Sequence, residues 1–286
     1  MWNITKAKTS RFDNFLLKAK ALIHCPFNSK NRKALRKELK TKKYLLKFPF
    51  HCDENFDAAQ IPIYIISFNQ LSYLKQMIAQ LERHGLKNIH IINNKSTYEP
   101  LLQYLEDCPY TVHHMDKNYG HTVFWTSGKF DDVIENSLYV VTDPDIEFND
   151  SLPLGFMKDL YRLLGEHPFV SKAGFALKIS DLPDTEFGNT TKKWEKQFWE
   201  VCLPDPLEAY LAAIDTTFAL YRPGNIMSDF YSGIRVAGVF TSRHLPFYHF
   251  LDQDAESLFY LNTANASGSM ARYQRTLLAG SSGKDV

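Results

Sequence analysis

The chain has 286 residues, 44% hydrophobic and 14% aromatic, which supplies a packed core and excludes a disordered chain. No run approaches the roughly 18 apolar residues of a membrane span, and the N-terminus lacks the apolar heart of a secretion signal, so a cytoplasmic location is expected. The net charge of +1 hides an asymmetry: residues 1–50 carry 14 Lys and Arg against Asp13 and Glu38, a net of +12, leaving −11 on the rest.

A basic arm on an acidic body points to an anionic partner. Phe12, Phe15, Leu16, Ala19, Leu22 and Ile23 recur at helical spacing up to Pro26, and Lys30–Lys47 sets Leu35, Leu39, Leu45 and Leu46 among basic residues. Residues 1–55 therefore read as a basic, amphipathic helical region. It either lies on a membrane surface, on the inner face in a cytoplasmic protein, or packs as a solvated hairpin. No base-reading or stacking motif accompanies the charge, so nucleic acid is not an expected partner. Cys25, Cys52, Cys108 and Cys202 lack CxxC spacing, which argues against a zinc knuckle or a disulfide framework.

The body, residues 56–261, opens on Ile61–Ile66, a β-branched run that predicts a buried strand with Ser67-Phe68-Asn69 as its loop. Leu71, Leu74, Met77, Ile78 and Leu81 share a helix face that Gly85 ends. A strand over Asn88–Ile92, a helix over Tyr98–Leu105 with Pro100 in its first turn, and a strand over Tyr110–Met115 complete a βαβαβ order. That order predicts a parallel sheet with right-handed crossovers. After Asn118-Tyr119-Gly120 comes a helix to Ile134, then a strand over Ser137–Thr142. The second half predicts a helix over Pro153–Gly165, a strand over Phe169–Ile179 and an aromatic helix over Lys192–Cys202. Strands over Ile214–Tyr221 and Gly233–Phe240 follow, then a helix from Asp254. Residues 262–286, rich in Ala, Ser, Gly and Asn, read as a loose tail.

In an α/β sheet of this kind ligands sit at the carboxyl ends of the strands, so Ser67, Asn93, Asn118 and Asp143 should converge on one crevice. Asp143 and Asp145, one residue apart in a turn stiffened by Pro144, are able to face a hard divalent cation that also takes phosphate oxygens. Mn²⁺ or Mg²⁺ with a diphosphate is the expected occupant. Asp215 sits in residues that otherwise read as buried strand, where a carboxylate must be paired or used. It is a candidate for acceptor binding or general base, or else for a salt bridge to Arg222 or Arg235. Glu200 is the second candidate base; with Glu195, Trp194, Phe198 and Trp199 it lies on a segment suited either to stacking on a sugar or to core packing.

From Ile61 to about Glu256 the chain resembles bacterial family-2-like glycosyltransferases of GT-A fold, associated with capsule or lipopolysaccharide synthesis. The resemblance rests on six ordered pieces. They are Ile63-Tyr-Ile-Ile-Ser-Phe-Asn69, Ile91-Ile-Asn-Asn-Lys-Ser-Thr97, Asn118-Tyr-Gly-His121, Thr142-Asp-Pro-Asp-Ile146, Ile214-Asp-Thr-Thr-Phe-Ala-Leu-Tyr-Arg-Pro223 and Arg243-His-Leu-Pro-Phe-Tyr248. It implies a GT-A-like, Rossmann-type, mostly parallel central sheet flanked by helices. It also implies transfer of a sugar, with inversion the expected course, from a nucleotide-sugar donor such as a UDP-sugar to a glycan or lipid-linked glycan acceptor. By the same resemblance Ser67, Asn69 and Asn93 hold base and ribose, Asn118 and Gly120 turn against the nucleotide, and His244 is a third metal ligand beside Asp143 and Asp145. The family's usual residue at Asn93 is Asp; an amide both donates and accepts, which leaves the base open. A catalytically inactive nucleotide-sugar or glycan binder and a sugar nucleotidyltransferase are the alternatives. The glycine-rich loops of dehydrogenases and P-loop enzymes, and the basic glycine-rich loop of nucleotidyltransferases, are absent from the sequence.

Overall fold

A computed structural model describes residues 50, 52–53, 55–167, 170–214, 217–224, 233–248, 254–264 and 273–274. The basic helices expected over residues 12–47, Asp215 and most of the expected tail lie outside the described residues. Among the described residues no helix is long and apolar enough to cross a membrane.

The first half follows the expected order. β1 (Ile63–Ser67) leads to α1 (Leu71–Arg83), β2 (Ile89–Asn93), α2 (Glu99–Asp107) and β3 (Thr111–His114). Gly85, at φ 73°, takes the left-handed conformation that ends α1, and Pro100 sits in the first turn of α2. β1 alternates as a strand buried on both faces must. Ile63 and Ile65 join the core under α1 and α2, while Tyr64 and Ile66 join a second core with Val123, Phe124, Phe130 and Tyr221. Leu74, Met77, Ile78 and Leu81 of α1 are buried against the first of these cores. Each such side chain contributes about 1.5–3 kcal/mol.

The helix expected up to Ile134 is broken instead. A 3-10 turn at Gly120–Thr122 runs into α3 (Val123–Thr126), and α4 (Asp131–Asn136) starts afresh after Gly128 at φ 73°. β4 (Tyr139–Thr142) and the two-residue β5 (Ile146–Glu147) bracket the aspartate turn, and α5 (Phe156–Glu166) and β6 (Lys172–Phe175) follow. The aromatic helix begins earlier than its apolar residues indicate, as α6 (Glu186–Glu195), because the Thr185 side chain accepts from the Gly188 N–H and caps it. Its aromatic end tightens into a 3-10 segment, Lys196–Trp199. β7 (Ala209–Leu211) has no sequence signal, being three residues long. β8 (Ala219–Tyr221), β9 (Gly233–Val236), β10 (Arg243–His244) and α7 (Ala255–Thr263) complete the described elements. The strand expected to reach Phe240 stops at Val236, because the chain turns at Gly238 with φ 61°.

One eight-stranded sheet runs in the order β3-β2-β1-β4-β8-β6-β9-β7. β1 is parallel to β2 and β4, β2 to β3, and β6 to β9; β8 is antiparallel to β4 and β6, and β7 to β9. The protein is thus an α/β fold whose sheet is mostly parallel and flanked by helices. β5 and β10 form a separate antiparallel pair beside it.

Candidate functional site at the carboxyl edge of the sheet

The parallel register aligns the ends of three strands. Ser67 pairs with Asn93, and Asn93 with His114, so the three lie in one row about 4.8 Å apart per strand. Ile65 is in register with Thr142 of β4, which carries Asp143-Pro144-Asp145 out at the same edge. Ser67 is fully buried and its hydroxyl has no hydrogen-bond partner among the described residues.

Two of the expected nucleotide contacts are engaged within the protein. Asn69, buried at φ 52°, accepts at Oδ1 from the N–H groups of Thr97 (2.7 Å) and Tyr98 (3.1 Å), and its Nδ2 donates to Thr263 Oγ1 at 2.9 Å. Asn93 Oδ1 accepts from the Ser96 N–H at 2.9 Å, and its Nδ2 meets His114 Nδ1 at 3.2 Å. Asn118 and Gly120 close a turn through Asn94, which the sequence reading passed over. Asn94 Nδ2 donates to Asn118 Oδ1 and to the Gly120 carbonyl, both at 3.0 Å, while Asn94 Oδ1 accepts from the Tyr119 N–H at 2.9 Å. Gly120 adopts φ 73° and donates to Asn118 Oδ1 at 2.8 Å. The signal for these two residues is positional: Asn94 lies just past the buried strand β2, and His114 ends the edge strand β3.

Around the aspartate turn, Asp145 Oδ2 lies 3.3 Å from His244 Nε2, while Asp145 Oδ1 is buried with no partner among the described residues. β10 delivers His244 by pairing it with Ile146, and the Leu245 N–H donates to the Asp145 carbonyl at 2.9 Å. Asp143 is half-buried. Among the described residues no three His, Cys, Asp or Glu side chains gather as a metal-holding set, so two of the three expected ligands, Asp145 and His244, come together. The Asp145 carboxylate by itself suits a hard cation, which commonly takes one or two carboxylates and completes its shell with phosphate oxygens and water. The orphaned Asp145 oxygen is the acceptor such an ion would satisfy.

Burial, reinforced by the negative charges of Asp145, Asp254 and Glu256, pushes the Tyr73 phenol well above its usual range. Beside this centre Arg243 donates from Nε and a terminal nitrogen to Asp181 and from the other to Glu147, at 2.6–3.1 Å. Burial raises the Asp181 carboxyl, but hydrogen bonds from Arg243, Lys178 and Tyr248 outweigh it and bring it down to about 2. This clamp holds β10 against β5 on the far side of His244.

Glu200 is exposed and follows the 3-10 segment next to β7, four strands from β4, about 19 Å at the usual strand spacing. It is not brought to the aspartates. Glu195 is buried in an ion pair with Arg235 at 2.8 Å, side chains 7% and 1% exposed, and Arg235 stacks on Phe198. Glu195 and Phe198 therefore pack inward while Trp194 is 62% exposed, and Arg235, one of the partners expected for Asp215, is taken by Glu195.

No protein-family model matches the chain, and no curated protein matches it. Among solved structures the chain is similar to a protein described as a glucose-1-phosphate thymidylyltransferase of Bacillus anthracis, in complex with sucrose. The identity is 12%, over 72% of this chain and 76% of that one, with a TM-score of 0.35. A likeness of that size establishes neither a family nor an activity.

Proposed function

We propose that the protein is a glycosyltransferase that draws a sugar from a nucleotide-sugar donor, a UDP-sugar in the first instance, bound along the carboxyl edge of β1, β2 and β4. The observation that carries this reading is the buried, unsatisfied Asp145 oxygen, set beside His244 at the end of the strand adjoining Ser67. Asp145 and His244, with Asp143 leading into the turn, would hold Mn²⁺ or Mg²⁺. A bound cation supplies neutralisation of the charge that develops on the departing diphosphate. The Ser67 hydroxyl orients the nucleoside end, and the bonds of Asn93 to Ser96 and His114, with those inside the Asn69 and Asn94 turns, keep that edge rigid.

Transfer with inversion needs a carboxylate to take the proton of the attacking acceptor hydroxyl as that oxygen bonds to the anomeric carbon. We assign that role to Asp215 rather than Glu200. β8 is antiparallel to β4 and sets Ala219 beside Val141, so β8 begins at the edge where β4 ends, and Asp215 precedes it closely in sequence. The six sequence pieces shared with surface-glycan transferases support a glycan or lipid-linked glycan as acceptor. The charge of residues 1–50 supports docking on an anionic membrane face, which liposome flotation of the full chain against a chain lacking those residues would test.

The central test is isothermal titration of UDP and UDP-sugars with and without Mn²⁺, together with slow hydrolysis of the donor. Metal-dependent binding in the wild type, lost in Asp145→Asn and Asp143→Ala without loss of fold, is the expected result. Asp145→Asn should be as stable as the wild type or more so, because it removes a buried charge that lacks a full set of partners. Absence of metal-dependent binding in the wild type refutes the reading. Formation of a nucleotide-sugar from a nucleoside triphosphate and a sugar phosphate would replace it with nucleotidyl transfer.

A further inference from the structure

Gln80 lies on the buried face of α1, 5% exposed, next to Met77 and Leu81 of the core. Its Nε2 donates to the Ile146 carbonyl at 3.0 Å, and its Oε1 accepts from the Phe148 N–H at 2.6 Å. A backbone N–H only donates and a carbonyl only accepts, so a single orientation of the amide satisfies both. These two backbone groups flank Glu147 on one edge of β5. A neighbouring parallel strand would bond the same two groups in the same way. The other edge is already filled, since β10 pairs with Ile146 and Glu147 and the Leu245 N–H reaches the Asp145 carbonyl. β5 is two residues long and stands outside the main sheet. Without Gln80, one of its edges would present unpaired backbone groups inside the protein.

We propose that Gln80 is a positioning residue for the Asp143-Pro144-Asp145 turn: its side-chain amide stands in for an absent strand and fixes the bearing of Asp145 toward His244. The role in ligand binding rests on the reading of this turn as the metal and diphosphate site. β4 anchors the turn at its start through the main sheet. Gln80 and β10 anchor it at its end. The amide does so from a helix whose remaining buried face is apolar, so a hydrophobic side chain of equal length would fill the space but leave β5 unbraced.

The test uses the full-length protein, with Gln80→Met as a near-isosteric variant that lacks both bonds. Gln80→Glu, which keeps the acceptor for the Phe148 N–H and loses the donor, carries the test should the first variant not fold. Amide hydrogen exchange across residues 143–148 reports the brace directly, and titration of UDP with and without Mn²⁺ reports its consequence. In Gln80→Met, exchange over 143–148 should rise about tenfold or more while β1 and β2 keep their protection. UDP affinity without metal should stay near wild type, while the Mn²⁺-dependent increment should fall about 10–100-fold, the usual effect of removing a partner that orients a metal ligand. In Gln80→Glu, whose buried carboxylate would face the Ile146 carbonyl, exchange over 143–148 should rise at least as much. Unchanged exchange at 143–148 overturns the proposal, as does raised exchange with an intact Mn²⁺-dependent increment. A wild type without any such increment refutes the site, whereas raised exchange in Gln80→Met would still establish the brace.

Discussion

Asn69→Ala should destabilise the fold, although the family resemblance implies a nucleotide contact for this residue. The side chain joins three parts of the chain, accepting from the Thr97 and Tyr98 N–H groups and donating to Thr263 of α7. Each neutral bond nets about 1 kcal/mol. The backbone stands at φ 52°, where an alanine costs about 1–2 kcal/mol more than a residue tolerant of the left-handed region. Thr97 and Thr263 are exposed, so their freed groups recover some bonding from water. The sum is a loss of about 3–5 kcal/mol for Asn69→Ala. Asn69→Gly, which loses the same bonds without the backbone strain, should be about 1 kcal/mol less destabilised. Urea unfolding followed by tryptophan fluorescence measures both. An alanine variant within about 0.5 kcal/mol of wild type would refute the reasoning, since surface changes without such partners fall in that band. So would a glycine variant less stable than the alanine. A variant of wild-type stability that no longer binds UDP would instead make Asn69 a ligand contact.

Glu195→Ala should cost about 3–5 kcal/mol, because it leaves the Arg235 guanidinium charged and buried, and the double change Glu195→Leu with Arg235→Met should recover much of that loss in the same unfolding assay. His90 and His113 meet at 3.0 Å; His90 Nε2 faces Asn88 Oδ1, whose amide is oriented by its bond to the Gln60 carbonyl, so His90 presents a lone pair at Nδ1 and His113 donates to it. Burial, then the neighbouring His90 and Lys129, lower the His113 pKa from 6.5 to about 4. The unfolded chain therefore binds this proton first, so stability should fall as pH drops from 6.5 toward 4, and His113→Gln should flatten that dependence; an identical pH profile in the variant would refute the assignment.

The first half of the fold was legible in the sequence because its signals are local. The β-branched run at Ile61–Ile66, the spaced apolar face of α1, Gly85 and the alternation that follows each state their element within a few residues, and a βαβαβ order leaves little choice of topology. The same locality exposed Asp143-Pro144-Asp145 and the ends of β1 and β2. The second half was less legible. β7 is too short to carry a period, α6 is placed by the Thr185 cap rather than by its aromatic residues, and β9 ends where Gly238 turns the chain. Sequence alone determined which residue types crowd the carboxyl edge of the sheet. Only the tertiary structure decided which of them are taken up by the protein itself. Asn93 bonds to a loop 3 residues on, Asn69 reaches Thr263 of α7 194 residues away, and His244 reaches Asp145 across about 100 residues through β10. Gln80 reaches β5 from a helix 66 residues earlier. Hydrogen bonds between distant segments leave no period in a sequence. Which polar groups those bonds leave unsatisfied, among them the Ser67 hydroxyl and one oxygen of Asp145, is therefore a property of the folded chain.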